Sequence, residues 1–229
     1  MTVYLLPDEP CFPPAEEADP DGLLAIGGDL SPARLLNAYA SGIFPWFLEN
    51  GEVYWFSPEP RMVIFPERFR LSASLQRVVK SGKFTIRFDQ DFEDVIRACA
   101  EAPRPGQDGT WISPEFIRAY TKLHRMGYAH SVAAYADGIL AGGLYGIALG
   151  RAFFGESMFY KQRDASKIAL AALVQQSLES GCHFIDCQTE SDHLRRLGAE
   201  SVSRAEYLLL LEKALGINRS QASCEGPSE

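Results

Sequence analysis

The spacing of apolar and polar positions changes along the chain from a helical period to a period of two and back. Ala129–Ala136 and Ile139–Leu149 alternate as strands do, joined at Asp137-Gly138, and Gly150 turns the chain into a third strand over 151–157. From Ala165 to Glu179, Ile168, Leu170, Ala171, Val174 and Leu178 recur at helical spacing between Asp164 as N-cap and Gly181 as stop. The same reading predicts a helix after Ser31-Pro32 that closes at Gly42, a short helix over 75–80, a strand over 84–88 and helices over 92–100 and 113–127 joined by a loop at 103–109. A buried strand over 183–187, a short helix ending near Gly198 and an amphipathic helix over 205–215 complete the series. Pro45, Pro58 and Pro60 break the chain between Phe44 and Arg61. We therefore expect a small N-terminal domain over 1–61, a larger one over 62–215 and a frayed tail over 216–229.

Composition is that of a globular protein, with 46% hydrophobic and 23% charged residues. Met1–Pro14 lacks the basic start and apolar block of a secretory signal, and the longest uncharged run, Gly138–Gly150, is too short to cross a bilayer as a helix. The expectation is a cytoplasmic, monomeric protein without membrane contact. Five scattered cysteines without a Cys-x-x-Cys pair, and four histidines without ligand spacing, argue for reduced thiols and no metal site. Net charge is −8, yet residues 61–87 hold seven basic residues against Glu67 alone, a local charge of +6. Within it, Arg61, Arg68, Arg70, Arg77, Lys80 and Lys83 are candidates for tracking a phosphate backbone, with an ordinary solvated face as the alternative.

The order strand, helix, helix, three antiparallel strands, helix, strand, helix is similar to the fold of the GCN5-related N-acetyltransferases, an α+β class with a mixed, mostly antiparallel sheet flanked by helices. In those enzymes a glycine-rich loop after the fourth strand cradles the pyrophosphate of coenzyme A. Here that stretch, Ser157 to Ala165, contains no glycine, which counts against a coenzyme A donor.

Four runs carry a more specific resemblance. They are Gly22-Leu23-Leu24-Ala25-Ile26-Gly27-Gly28-Asp29-Leu30-Ser31-Pro32; Gly42-Ile43-Phe44-Pro45-Trp46-Phe47 with Trp55-Phe56-Ser57-Pro58; Gly155-Glu156-Ser157-Met158-Phe159 with Ala165-Ser166-Lys167; and Ile185-Asp186-Cys187-Gln188. Together they resemble the leucyl/phenylalanyl-tRNA–protein transferases over roughly Phe12 to Arg204, with Arg195-Arg196 as a departure. The resemblance implies transfer of Leu or Phe, less often Met, from charged tRNA to the N-terminal α-amine of proteins beginning with Arg or Lys. The product would be marked for degradation by the N-degron pathway. An aminoacyl ester is already activated, so the reaction requires orientation, amine deprotonation and oxyanion support but no cofactor.

Strand parity places Asp186 and Gln188 on one face and Ile185 and Cys187 on the other. The resemblance makes Asp186 and Gln188 the catalytic pair, with Gln188 accepting a proton or hydrogen bond from the amine and Asp186 orienting it; since glutamine is a poor base, positioning is the safer role. It implies that Glu156 holds the amine or the basic acceptor residue. It also implies an aminoacyl pocket of Leu144, Phe153, Met158, Leu170, Leu173 and Ile185, and a grip on the terminal adenosine by Trp46 and Trp111 through stacking. A coenzyme A-dependent acetyltransferase and a noncatalytic RNA- or degron-binding module remain the alternatives.

Overall fold

The computed structural model describes residues 3–103 and 110–217. The predicted loop after Pro103 and the tail beyond Ile217 lie outside the described residues. In chain order the elements are β1 (Tyr4–Leu6), β2 (Leu23–Gly27), α1 (Pro32–Ala40), β3 (Phe44–Glu49), β4 (Glu52–Phe56), β5 (Arg61–Ile64), α2 (Ala73–Lys80), β6 (Thr85–Phe88), α3 (Phe92–Glu101), α4 (Pro114–Arg125), β7 (Ala129–Ala136), β8 (Ile139–Leu149), β9 (Ala152–Tyr160), α5 (Ala165–Ser180), β10 (Phe184–Gln188), α6 (Asp192–Arg195), β11 (Glu200–Val202) and α7 (Arg204–Leu215).

The first four strands form a small sheet in the order β1-β2-β4-β3, which the proline breaks had hidden. Pro45 is tolerated because β3 is the edge strand. The β3–β4 hairpin turns at Asn50-Gly51, where φ is 52° and 86°, an Asn-Gly turn whose left-handed pair suits the twist of the strands.

The larger sheet has the order β11-β5-β10-β9-β8-β7-β6 and is antiparallel throughout except where β9 and β10 run parallel. The class is thus α+β with a mostly antiparallel sheet between helices. β9 extends three residues past the expected end at Ser157. Asp164 is the N-cap residue of α5 as expected, but it adopts φ 72° and its side chain makes no capping hydrogen bond, accepting instead from Lys167 Nζ at 3.1 Å.

One face of this sheet, through Met62, Ile64, Val132, Leu144, Phe153 and Ile185, packs on α2 and α5. The opposite face, through Val63, Tyr145, Ile147, Phe154 and Phe184, joins one continuous core with α3, α4, α7 and the small sheet. Adjacent residues of β9 and β10 therefore serve different cores, as a period of two requires. Among the described residues, no helix is long and apolar enough to cross a membrane.

Candidate functional site

The parallel pairing of β9 with β10 covers only Ala152–Phe154 opposite Phe184–Asp186. Beyond it the strands part. Gly155–Met158 line one side of the gap and Cys187–Thr189 the other, around a cavity of about 600 Å³ that also reaches Trp46, Trp111 and α5. All six residues of the expected aminoacyl pocket, Leu144, Phe153, Met158, Leu170, Leu173 and Ile185, line this cavity, and so do Trp46, Trp111, Glu156 and Gln188.

Asp186 does not, and the parity argument fails at this point. The pairing of β10 with β5 shifts register between Asp186 and Gln188, and Gln188 adopts φ 64°, a left-handed conformation uncommon for a side-chain-bearing residue. The bulge turns Gln188 into the cavity beside Ile185 and Cys187, while Asp186 points to the opposite core and is fully buried. There it meets Arg61. Arg61 Nε and Nη2 donate to the two Asp186 oxygens at 2.9 and 2.7 Å, and Tyr207 from α7 donates to Oδ2 at 2.8 Å. The remaining lone pair on Oδ1 accepts the Gln188 backbone N–H at 2.8 Å, so Asp186 holds the bulge that presents Gln188.

Arg61 is accordingly withdrawn from the phosphate-tracking set. It is wholly buried, lies over the rings of Phe44 and Tyr207 at 4.8 and 4.5 Å, and donates to the Gly42 carbonyl at 3.4 Å. Burial favours its neutral form, but the Asp186 carboxylate and Tyr207 outweigh that and push its pKa above the usual arginine value. The sequence signal was available: an arginine heading the apolar run Met62-Val63-Ile64 needs a buried partner. Arg68, Arg70, Arg77, Lys80 and Lys83 are exposed, Arg68 in an ion pair with Glu200 at 2.8 Å. None of the five lines the cavity.

Glu156 is 8% exposed and accepts three hydrogen bonds. Tyr39 of α1 donates at 2.7 Å, Tyr120 of α4 at 2.9 Å and Gln188 Nε2, from across the gap, at 2.8 Å. The Tyr39 and Tyr120 hydroxyls also touch each other; two phenol protons serve three contacts, so all three are hydrogen bonds only when Glu156 itself carries a proton. Burial and the nearby carboxylate push both phenols well up, so they act as donors. Burial likewise raises the Glu156 carboxyl to about 7, against the opposing effect of its donors and with further help from the Asp186 charge. Committing the Gln188 amide nitrogen to Glu156 leaves its amide oxygen as the acceptor it can offer a ligand. Sequence reasoning missed both tyrosines and Tyr207, since an aromatic on an apolar helix face reads as core.

Trp46 and Trp111 are partly buried, each against an aromatic neighbour: Phe56 at 4.8 Å and Phe116 at 5.4 Å between ring centroids. Cys187 also lines the cavity; burial first and the Asp186 charge second push its thiol well above the usual cysteine value.

Two outcomes follow from the buried charges. Replacing Asp186 with Ala strands the Arg61 guanidinium and should cost about 3–5 kcal/mol, while the double variant Arg61→Met with Asp186→Leu should recover most of it; an unfolding free energy of Asp186→Ala, from urea titration, within about 1 kcal/mol of the parent would contradict the pairing. For Glu156, the folded value lies above the unfolded one near 4.5. Its contribution is therefore fully present below pH 4.5 and is lost as pH rises through about 7. Glu156→Gln should remove that loss, so the stability of the parent relative to the variant should fall by on the order of 3 kcal/mol between pH 4.5 and 8. A pH-independent difference in denaturant melts would show that Glu156 does not titrate in this range.

The comparisons with known proteins agree along the chain. Residues 63–212 match the family model described as leucyl/phenylalanyl-tRNA protein transferase, and residues 28–59 match the model for the N-terminal domain of the same transferase. A leucyl/phenylalanyl-tRNA–protein transferase of Anaeromyxobacter sp. (strain Fw109-5) is 54% identical over 215 residues, which cover 94% of this chain and 92% of that one. The protein of the same name from Syntrophobacter fumaroxidans is 50% identical over 228 residues, covering 100% and 97%. Among solved structures, a GCN5-related N-acetyltransferase from Kribbella flavida is similar at TM-score 0.40 and 14% identity, over 78% of this chain and 64% of that one. With the two family models matched in order and about half the residues shared with relatives over almost its full length, the chain belongs to the leucyl/phenylalanyl-tRNA protein transferase family.

Proposed function

We propose that this protein transfers Leu or Phe, and less readily Met, from charged tRNA to the N-terminal α-amine of proteins beginning with Arg or Lys, as a monomer in the cytoplasm. Such a product would enter the N-degron pathway. The observation that carries this reading is the joining, in one cavity, of an apolar end made by Leu144, Phe153, Met158, Leu170, Leu173 and Ile185 with the polar pair of Gln188 and Glu156.

The apolar end suits the donor side chain, since burying a Leu side chain supplies roughly 1.5–3 kcal/mol. Discrimination between apolar side chains of similar size is then weak, about 1–3 kcal/mol per methylene, in keeping with more than one donor. Trp46 and Trp111 supply stacking surfaces for the terminal adenosine. In the transfer, the amine nitrogen forms a bond to the ester carbonyl carbon, the bond from that carbon to the ribose oxygen breaks, and the ribose hydroxyl leaves with a proton that the amine has lost. The Gln188 amide oxygen accepts a hydrogen bond from the amine and aligns its lone pair on the carbonyl. Glu156 anchors the Gln188 amide and adds negative charge that favours an amine with a basic residue behind it. Asp186 is a positioning residue that acts through the Gln188 backbone.

The reading is tested by passing radiolabelled Leu from charged tRNA to a peptide beginning with Arg. Transfer is expected with no added cofactor, and none from the folded protein would overturn it. Gln188→Ala should lower kcat at least tenfold with little change in KM for tRNA; a loss confined to KM would remove Gln188 from the chemical step. Replacing Arg70, Arg77 and Lys80 together with Glu should weaken tRNA binding and flatten its logarithmic salt dependence by about two units, at roughly 0.7–0.9 per lost phosphate contact. A variant whose affinity and salt dependence equal the parent's between about 50 and 200 mM salt would return these residues to ordinary solvated surface.

A further inference from the structure

A second cavity, of about 400 Å³, lies between the sheet and α5 behind the first. The two enter that interface from opposite ends. The front cavity meets α5 at Leu170 and Leu173, and the rear one meets it at Leu173, Gln176, Ser177 and Ser180, further along the same helix. Phe153 on β9 and Leu173 on α5 are the two residues that line both cavities. Each is 6% exposed, so these side chains form the partition between two voids rather than part of a solid core.

The Phe153 ring is held in that place by Gly146 on the neighbouring strand. A Cβ at Gly146 would lie 2.5 and 2.7 Å from two ring carbons and 2.2 Å from the Phe154 carbonyl oxygen, so the ring occupies the space that glycine leaves. Val132, Ala148 and Ala152 give the rear cavity an apolar wall, Gln176 and Ser177 place polar groups on its helix side, and Asp89, His130 and Arg151 also line it. A side chain longer than Phe that entered it would find apolar surface for its body and a partner for one polar atom, the combination an indole ring with its N–H requires.

We propose that Phe153 and Leu173 form a wall that sets the upper size of the transferred side chain, and that the cavity behind them is the unused depth of the donor pocket. The proposal rests on the donor side chain occupying the front cavity, as argued for the function. Shortening the wall joins the two voids and admits a bicyclic aromatic side chain. Filling the rear void from Gln176, which is exposed on α5 and lines only that void, closes it again without touching the front.

The experiment compares Leu and Trp as donors, each charged on tRNA, with a peptide beginning with Arg as acceptor. Phe153→Ala should raise the ratio of Trp to Leu transfer at least tenfold, and the milder Phe153→Leu and Leu173→Ala should move it the same way if the first variant folds poorly by thermal melting. Adding Gln176→Trp to Phe153→Ala should abolish the gain, while Gln176→Trp alone leaves Leu transfer by the parent unchanged. A ratio within twofold of the parent in all three folded wall variants overturns the wall, as does a gain that survives Gln176→Trp. Failure of the parent itself to transfer Leu would instead sink the functional reading, so the two failures are distinct.

Discussion

The buried ion pair between Arg61 and Asp186 is the constraint around which the rest of the site is arranged. Two charges removed from water must saturate each other's hydrogen-bonding groups or cost several kcal/mol. Here the guanidinium meets the carboxylate with two nitrogens, and the groups left over go to Gly42, Tyr207 and the Gln188 N–H. Those partners come from the end of α1, from α7 and from the last residue of β10, so one neutralised pair fixes three segments distant in sequence. The contact that bears on the proposed chemistry is the last. It holds Gln188 in a left-handed backbone conformation, which by itself is unfavourable, and the hydrogen bond from the Gln188 N–H to the fixed carboxylate offsets that cost.

A second network sits on the other side of the gap. Glu156 ties α1, α4 and β10 together through Tyr39, Tyr120 and Gln188. Gln188 is thus held twice, by its backbone through Asp186 and by its amide through Glu156, and neither carboxylate needs to touch a reacting atom. This division of labour suits a reaction whose donor is already activated, where orientation supplies much of the rate.

Most of the larger sheet was legible in the sequence because its strands and helices have clear periods: β7 and β8 fall at the expected residues, and α5 extends one residue past its expected end. The small sheet was not, since Pro45 masked an edge strand and the Asn50-Gly51 signal was passed over. β5 was missed as well, being four residues long and buried on both faces, too short for periodicity to register. That omission misplaced Arg61, because a basic residue counted by charge alone reads as surface. Periodicity put Asp186 and Gln188 on one strand, but strand parity could not foresee the bulge, which depends on a hydrogen bond from Gln188 to the side chain two residues before it. No local signal identifies Tyr39 and Tyr120, whose function arises only when their helices meet.

Tyr39 also bears on what the small N-terminal unit is for. Its hydroxyl is one of the three donors that determine how readily Glu156 gives up its proton. A chain cut near residue 61 would keep every residue of the motifs on β9 and β10, yet the acid between them would lose one of the donors that favour its ionised form. The two sheets share one core and, through Tyr39, one piece of acid–base chemistry, so an exchange of N-terminal units between relatives would retune the site even where no residue around Gln188 was altered.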